Sequence, residues 1–217
     1  MTAATIVGLL RKTKESGTIS EVDEATVEVL RELAIPLVNG VWQLDRRQRV
    51  ELAKRAVSCG AQIDTVVGTL SWKDFERFIA GVLEENNYKC IESFRRRGDS
   101  DTEGMEIDVV GVLGRRVVSV DAKMWGVRSG KTGALRTAAQ RQASRTERLV
   151  TMLPRIAERL GISGGTYHLY PVLVTWLIED VEIADGVPIV PVFKFNSFIL
   201  DIEMYDDFMV SYPGELA

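Results

Sequence analysis

The chain has 217 residues, 46% of them hydrophobic and 27% charged, with a formal net charge of −4, an ordinary balance for a globular protein of one or two domains. No apolar run approaches the about 18 residues of a membrane span, and the N-terminus lacks the pattern of a signal peptide, so a cytoplasmic protein without membrane association is expected. Cys59 and Cys90 lack metal-binding spacing and are expected to be buried thiols, which excludes a zinc finger, and the single histidine, His168, reads as a structural residue at the start of a strand.

Residues 3 to 15 place Ile6, Leu9 and Leu10 at helical spacing. In "TISEVDEATVEVLREL" Ser20 stands three residues before Asp23 as a helix start signal, with Val27, Leu30 and Leu33 on one face. Asn39-Gly40 inside "AIPLVNGVWQL" is a hairpin signal. "DRRQRVELAKRAVSCG" has Asp45 as its expected N-cap and Gly60 as its expected C-cap. Helix, turn, helix, hairpin and helix resemble a winged-helix module over residues 1–68, which implies a DNA-positioning role. A packing or dimerisation module has the same pattern.

A second domain, residues 69–217, is expected to follow. "SWKDFERFIAGVLEENNY" has Ser71 as N-cap, Asp74 three residues on, and an apolar stripe through Phe75, Phe78, Ile79, Val82 and Leu83. "KCIESF" reads as a strand and "RRRGDSDTEG" as a polar loop. "EIDVVGVLGRRVVSVDAK" reads as two strands turned at Leu113-Gly114. A long helix follows, broken before Pro154. "YHLYPVLVTWLI" is expected to be the central strand, and "GVPIVPVFKFNSFILDI" a strand and a short helix. The "GKTG" at 130–133 lacks the context of a phosphate-binding loop. The expected class is α/β (α+β), a mixed β-sheet flanked by helices.

The strands of the hairpin carry charges where apolar residues belong. Alternation puts Glu106 and Asp108 on one face of the first strand, and Asp121 and Lys123 on one face of the second. Pairing through the hairpin brings Asp108 towards Asp121. Two carboxylates held that close resist ionisation unless a cation lies between them, and hard oxygen ligands suit Mg²⁺ or Mn²⁺. Lys123 is then in reach of the same reacting group, where an ammonium offsets charge built up in phosphoryl transfer. A solvated strand face is the plain alternative.

Residues 71 to 200 resemble the PD-(D/E)xK nuclease superfamily, in its Mrr-like restriction endonuclease and archaeal Holliday-junction resolvase branch. "DFERFIAGVLEENNY" matches the family's first helix through Glu76. "EIDVVG" matches the second motif through Asp108, and "VVSVDAK" the third through Asp121 and Lys123. Gln140 or Gln142 matches the glutamine-bearing helix, and the stretch from Asp185 the last strand and helix. The acidic "RRRGDSDTEGME" departs from the family's usual glycine-rich approach and leaves Glu106, Asp99 and Asp101 as spare acids. The resemblance implies a restriction-endonuclease-like core and a metal-dependent DNA endonuclease of repair, recombination or restriction. Glu76, Asp108, Asp121 and Lys123 are its catalytic set; Asp108, Asp121 and Glu76 hold Mg²⁺ or Mn²⁺; and the family's habit implies a homodimer. The alternative is an inactive nuclease-like scaffold that binds DNA or protein.

The charge distribution agrees with a polyanionic partner. Residues 95–148 carry 12 Lys/Arg against 7 Asp/Glu, whereas residues 176–217 carry nine acids and one lysine. Arg141, Arg145 and Arg148 lie on one helix face. DNA contacts are expected at Arg95, Arg96, Arg97, Gln140, Arg141 and Arg145, with salt-sensitive binding; Trp125 reads as a packing residue, with base stacking as the alternative.

Overall fold

The structure, a computed structural model, describes residues 2–98, 104–124, 131–179 and 182–217. Asp99, Asp101, Trp125 and the first residue of "GKTG" lie outside the described residues.

The chain divides into two units, Met1–Phe78 and Ile79–Ala217, so the division falls inside a helix rather than after residue 68. The first unit contains α1 (Ala3–Lys12), β1 (Thr18–Ile19), α2 (Glu24–Glu32), β2 (Leu37–Val38), β3 (Val41–Gln43), α3 (Arg46–Ser58) and α4 (Ile63–Val67). Its small antiparallel sheet has the order β1-β3-β2. Asn39 and Gly40 both adopt left-handed backbone, at φ 51° and 76°, which makes the β2–β3 turn the tight hairpin expected of that pair. Asp45 caps α3 in a reciprocal box with Gln48, and Gly60 follows the helix at φ 92°.

The start of α2 departs from expectation. Asp23, not Ser20, is the cap and accepts from the Thr26 amide. Thr18 and Ile19 pair with Gln43 and Trp42, which commits this stretch to extended backbone and delays the helix. As a result 11 residues, including β1, separate α1 from α2, where a helix-turn-helix has a turn of about three or four. Arg49 of α3 is buried at the centre of the unit. It pairs with Asp74 and donates to the carbonyls of Leu10 and Thr69 and to the Thr13 hydroxyl.

Helix α5 (Trp72–Glu85) crosses from the first unit into the second. It opens with the expected box: the Asp74 amide donates to the Ser71 hydroxyl, and the Ser71 amide donates to the Asp74 carboxylate. Then come β4 (Lys89–Arg96), β5 (Met105–Leu113), β6 (Arg116–Lys123) and α6 (Lys131–Leu149). A short 3-10 turn leads into α7 (Leu153–Leu160), with Pro154 in its first turn as the sequence predicts. The chain continues through β7 (Gly165–Thr175), β8 (Ile183–Ala184), β9 (Val187–Pro191), α8 (Val192–Leu200), a 3-10 segment Ile202–Phe208, and β10 (Tyr212–Leu216).

Seven strands form one mixed sheet flanked by helices, in the order β4-β5-β6-β7-β9-β8 with β10 also on β7. The β6–β7 and β7–β9 pairs are parallel and the others antiparallel. Strand β7 is central, as expected, while β8 and β10 were not foreseen. Val110, Val117, Leu149, Leu153 and Ile156 form one core cluster between sheet and helices. Leu83 of α5 lies so close over β5 that a Cβ on Gly111 would stand 3.0 Å from its Cδ1. The β5–β6 loop is Gly114-Arg115, one residue later than expected, because Leu113 is already paired with Arg116. The thiols are not buried either: Cys59 is exposed at the end of α3, and Cys90 on β4 is half-buried. Among the described residues no helix is long and apolar enough to cross a membrane.

Candidate active site

The site sits where two strands part. The β5–β6 ladder ends at Val109↔Val120, while β6 stays paired with β7 as far as Lys123↔Thr175. Beyond the last rung the amide of Ala122 has no partner from β5 backbone. Asp108 supplies one: its Oδ2 accepts the Ala122 N–H at 2.8 Å. A carboxylate takes the place of a ladder carbonyl, and the bond holds Asp108 against the peptide that joins Asp121 to Ala122.

Asp121 is buried, its side chain 7% exposed. Its Oδ1 accepts from the Arg145 guanidinium at 3.1 Å, and its Oδ2 lies 2.6 Å from the Lys123 ammonium. That oxygen has the ion pair but no hydrogen-bond geometry. Arg145 reaches Asp121 because α6 is locked over β6 one turn earlier. There the buried Gln142 donates to the Ser119 carbonyl and hydroxyl, at 2.8 and 3.0 Å.

Asp121 and Lys123 open into a cavity of about 290 Å³ roofed by α6, with Ala134, Thr137, Ala138, Arg141 and Arg145 completing its wall. Among the described residues three cations face one carboxylate, a balance of +2, so the cavity attracts anions. Thr137, Arg141 and Arg145 recur every four residues along the helix, and that spacing is the sequence signal that marks Thr137 as a wall residue.

As a metal site the donor set is small. Among the described residues no three His, Cys, Asp or Glu side chains cluster as a cage. Mg²⁺ does not need one, since it keeps several waters and binds through one or two carboxylates plus substrate phosphate. Asp108 and Asp121 supply the two carboxylates of that mode, the Oδ2 of Asp121 being shared with the Lys123 ammonium.

The remaining predicted residues are placed as follows. Glu76 is buried at 2%, with Lys73 2.7 Å away, and belongs to the part of α5 in the first unit. Glu106 is drawn to Arg95, its cross-strand partner, at 2.7 Å. Arg95 is thus engaged by a carboxylate, while Arg97 is exposed and Arg96 half-buried. Gln140 is exposed and donates to Asp185, 3.0 Å away, so of the two glutamines Gln142 is the one on the sheet. His168 is exposed on β7.

No family model matches the chain. Over 137 residues, 63% of its length, the chain is 25% identical to an uncharacterized protein of Archaeoglobus fulgidus and covers 95% of that protein. Among solved structures it is similar to protein VC1899 from Vibrio cholerae, with 12% identity and a TM-score of 0.35. The match covers 95% of this chain and 51% of that one, so the chain spans about half the length of the Vibrio protein.

Proposed function

We propose that the chain is a Mg²⁺- or Mn²⁺-dependent DNA endonuclease of the PD-(D/E)xK kind, a cytoplasmic phosphodiester hydrolase of repair, recombination or restriction. The observation that carries this reading is the opening of Asp121 and Lys123 into one cationic cavity beside the fork that Asp108 occupies. Asp108 and Asp121 would hold the dication, which would supply Lewis-acid polarisation of the phosphate under attack. Arg141 and Arg145 seat a backbone phosphate, and Lys123 orients the attacking water and offsets the charge that builds on the phosphoryl oxygens. A homodimer would offer one such site to each strand of a duplex.

A panel of linear and branched DNAs incubated with Mg²⁺ or Mn²⁺ tests the assignment. The wild type should cut at least one substrate, and Asp108→Ala and Lys123→Ala should bind it without cutting. Wild-type cleavage by either variant overturns the reading. One observation favours a second reading, an inactive DNA-binding scaffold: Asp121 is already matched by Lys123 and Arg145. The scaffold predicts that calorimetry detects no Mg²⁺ uptake at millimolar concentration, whereas the nuclease predicts heat that Asp121→Asn removes.

A further inference from the structure

At the far edge of the sheet, where β8 ends the strand order, lies a second and larger cavity of about 420 Å³. Its floor is apolar, made by Pro188, Ile189 and Val190 of β9 with Phe198 of α8, all of them buried. Its rim is also apolar yet open to solvent: Ile178 is 69% exposed, Ile183 43% and Tyr205 40%. Along α8 the lining residues Lys194, Ser197 and Asp201 form one row, and Phe193 and Leu200, seven residues apart and both exposed, form the row beside it. Contiguous exposed apolar surface of this kind marks an interaction site.

Charge decides what fits there. Glu179, Glu182 and Asp201 line the cavity against the single Lys194. The whole stretch 176–217 carries nine acids and one lysine. A nucleic acid is repelled. An isologous pairing of two copies through this face would bring together two patches of the same net negative charge, which a symmetric interface avoids. We infer that this groove docks a basic, amphipathic segment of a partner protein, whose apolar side chains enter the cavity while its Lys or Arg residues meet Glu182 and Asp201. The groove shares no residue with the Asp121 cavity, so the inference stands independently of the nuclease assignment.

The test is fluorescence anisotropy on the full chain with a labelled 14-residue amphipathic peptide of Leu and Lys, beside the same peptide with Glu for Lys. The Lys peptide should bind and the Glu peptide should not. The double variant Glu182→Lys/Asp201→Lys and the single variant Ile178→Ser should each weaken binding at least tenfold, with unchanged circular dichroism melts. Undiminished binding by Ile178→Ser means that the peptide reads acidity alone, and overturns the groove. Absence of binding to the wild type overturns the stated chemistry. Sedimentation that shows a dimer lost in Ile178→Ser assigns the face to a second copy and overturns it as well.

Discussion

Replacing Asp121 by Asn separates cleavage from binding, because among the described residues Asp121 is the one acid lining a cavity that Lys123, Arg141 and Arg145 also line. Asn keeps the shape and removes the charge, raising the balance from +2 to +3. Arg145, now held by Asp121 at 3.1 Å, becomes available to phosphate. One cation newly engaged adds about 0.9 to the slope of log K against log salt. The Coulomb gain of one unit charge about 4 Å away is roughly 1–4 kcal/mol between bulk-water and near-surface dielectrics. Arg145 is 37% exposed, which puts the gain at the low end, about 1 kcal/mol or roughly fivefold in affinity. Anisotropy titrations of labelled duplex in EDTA, between 50 and 300 mM salt, read both quantities, and gel cleavage with Mg²⁺ reads the third. Tighter binding on a steeper slope, with no product, is the expected result. Wild-type cleavage by Asp121→Asn refutes the metal role, and binding weaker than wild type refutes the electrostatic account.

Other perturbations test the frame around the site. Arg49→Met leaves Asp74 buried and unpaired with three acceptors unserved, and should destabilise the protein by about 3–5 kcal/mol in urea unfolding. Gly111→Ala drives a methyl to 3.0 Å from Leu83 and 3.3 Å from Tyr88, and should cost about 1–3 kcal/mol by the same assay. Asp23 is held below its ordinary value of 3.8, chiefly by the Thr26 side-chain hydrogen bond. A lowered folded-state pKa gives stability that is present above 3.8 and lost as pH falls through the lowered value. Urea unfolding across the acid range should therefore show a loss of stability that is smaller in Asp23→Ala than in the wild type.

What the sequence made legible is what local chemistry decides. Asn39-Gly40 turns because both residues tolerate positive φ, and Ser71 with Asp74 starts a helix because the two close a box. Strand β10 gave no such signal. Its residues include Pro213 and Gly214 and show no alternation, and it becomes a strand only because β7 leaves an edge open from Gly165 to Leu169. The start of α2 was misplaced for a related reason, since the pairing of Thr18 with Gln43 spans 25 positions and overrides a plausible local cap.

The same division runs through the site. Asp121 and Lys123 share a face by alternation alone, and Arg141 and Arg145 follow from helical spacing. Glu106 and Asp108 look equivalent by that rule, two residues apart on one strand, but their neighbours across the sheet differ. Opposite Glu106 the β4 register supplies Arg95, whose guanidinium takes the carboxylate at 2.7 Å. Opposite Asp108 it supplies Ser93, a non-glycine residue at φ 50° between the Glu92↔Val109 and Phe94↔Ile107 rungs. On the other side of Asp108 the ladder to β6 has just ended and the Ala122 amide is waiting. Glu106 is drawn outward by a cation and Asp108 is drawn into the fork by an amide. The acid that closes the fork is therefore chosen by register and by the parting of two strands.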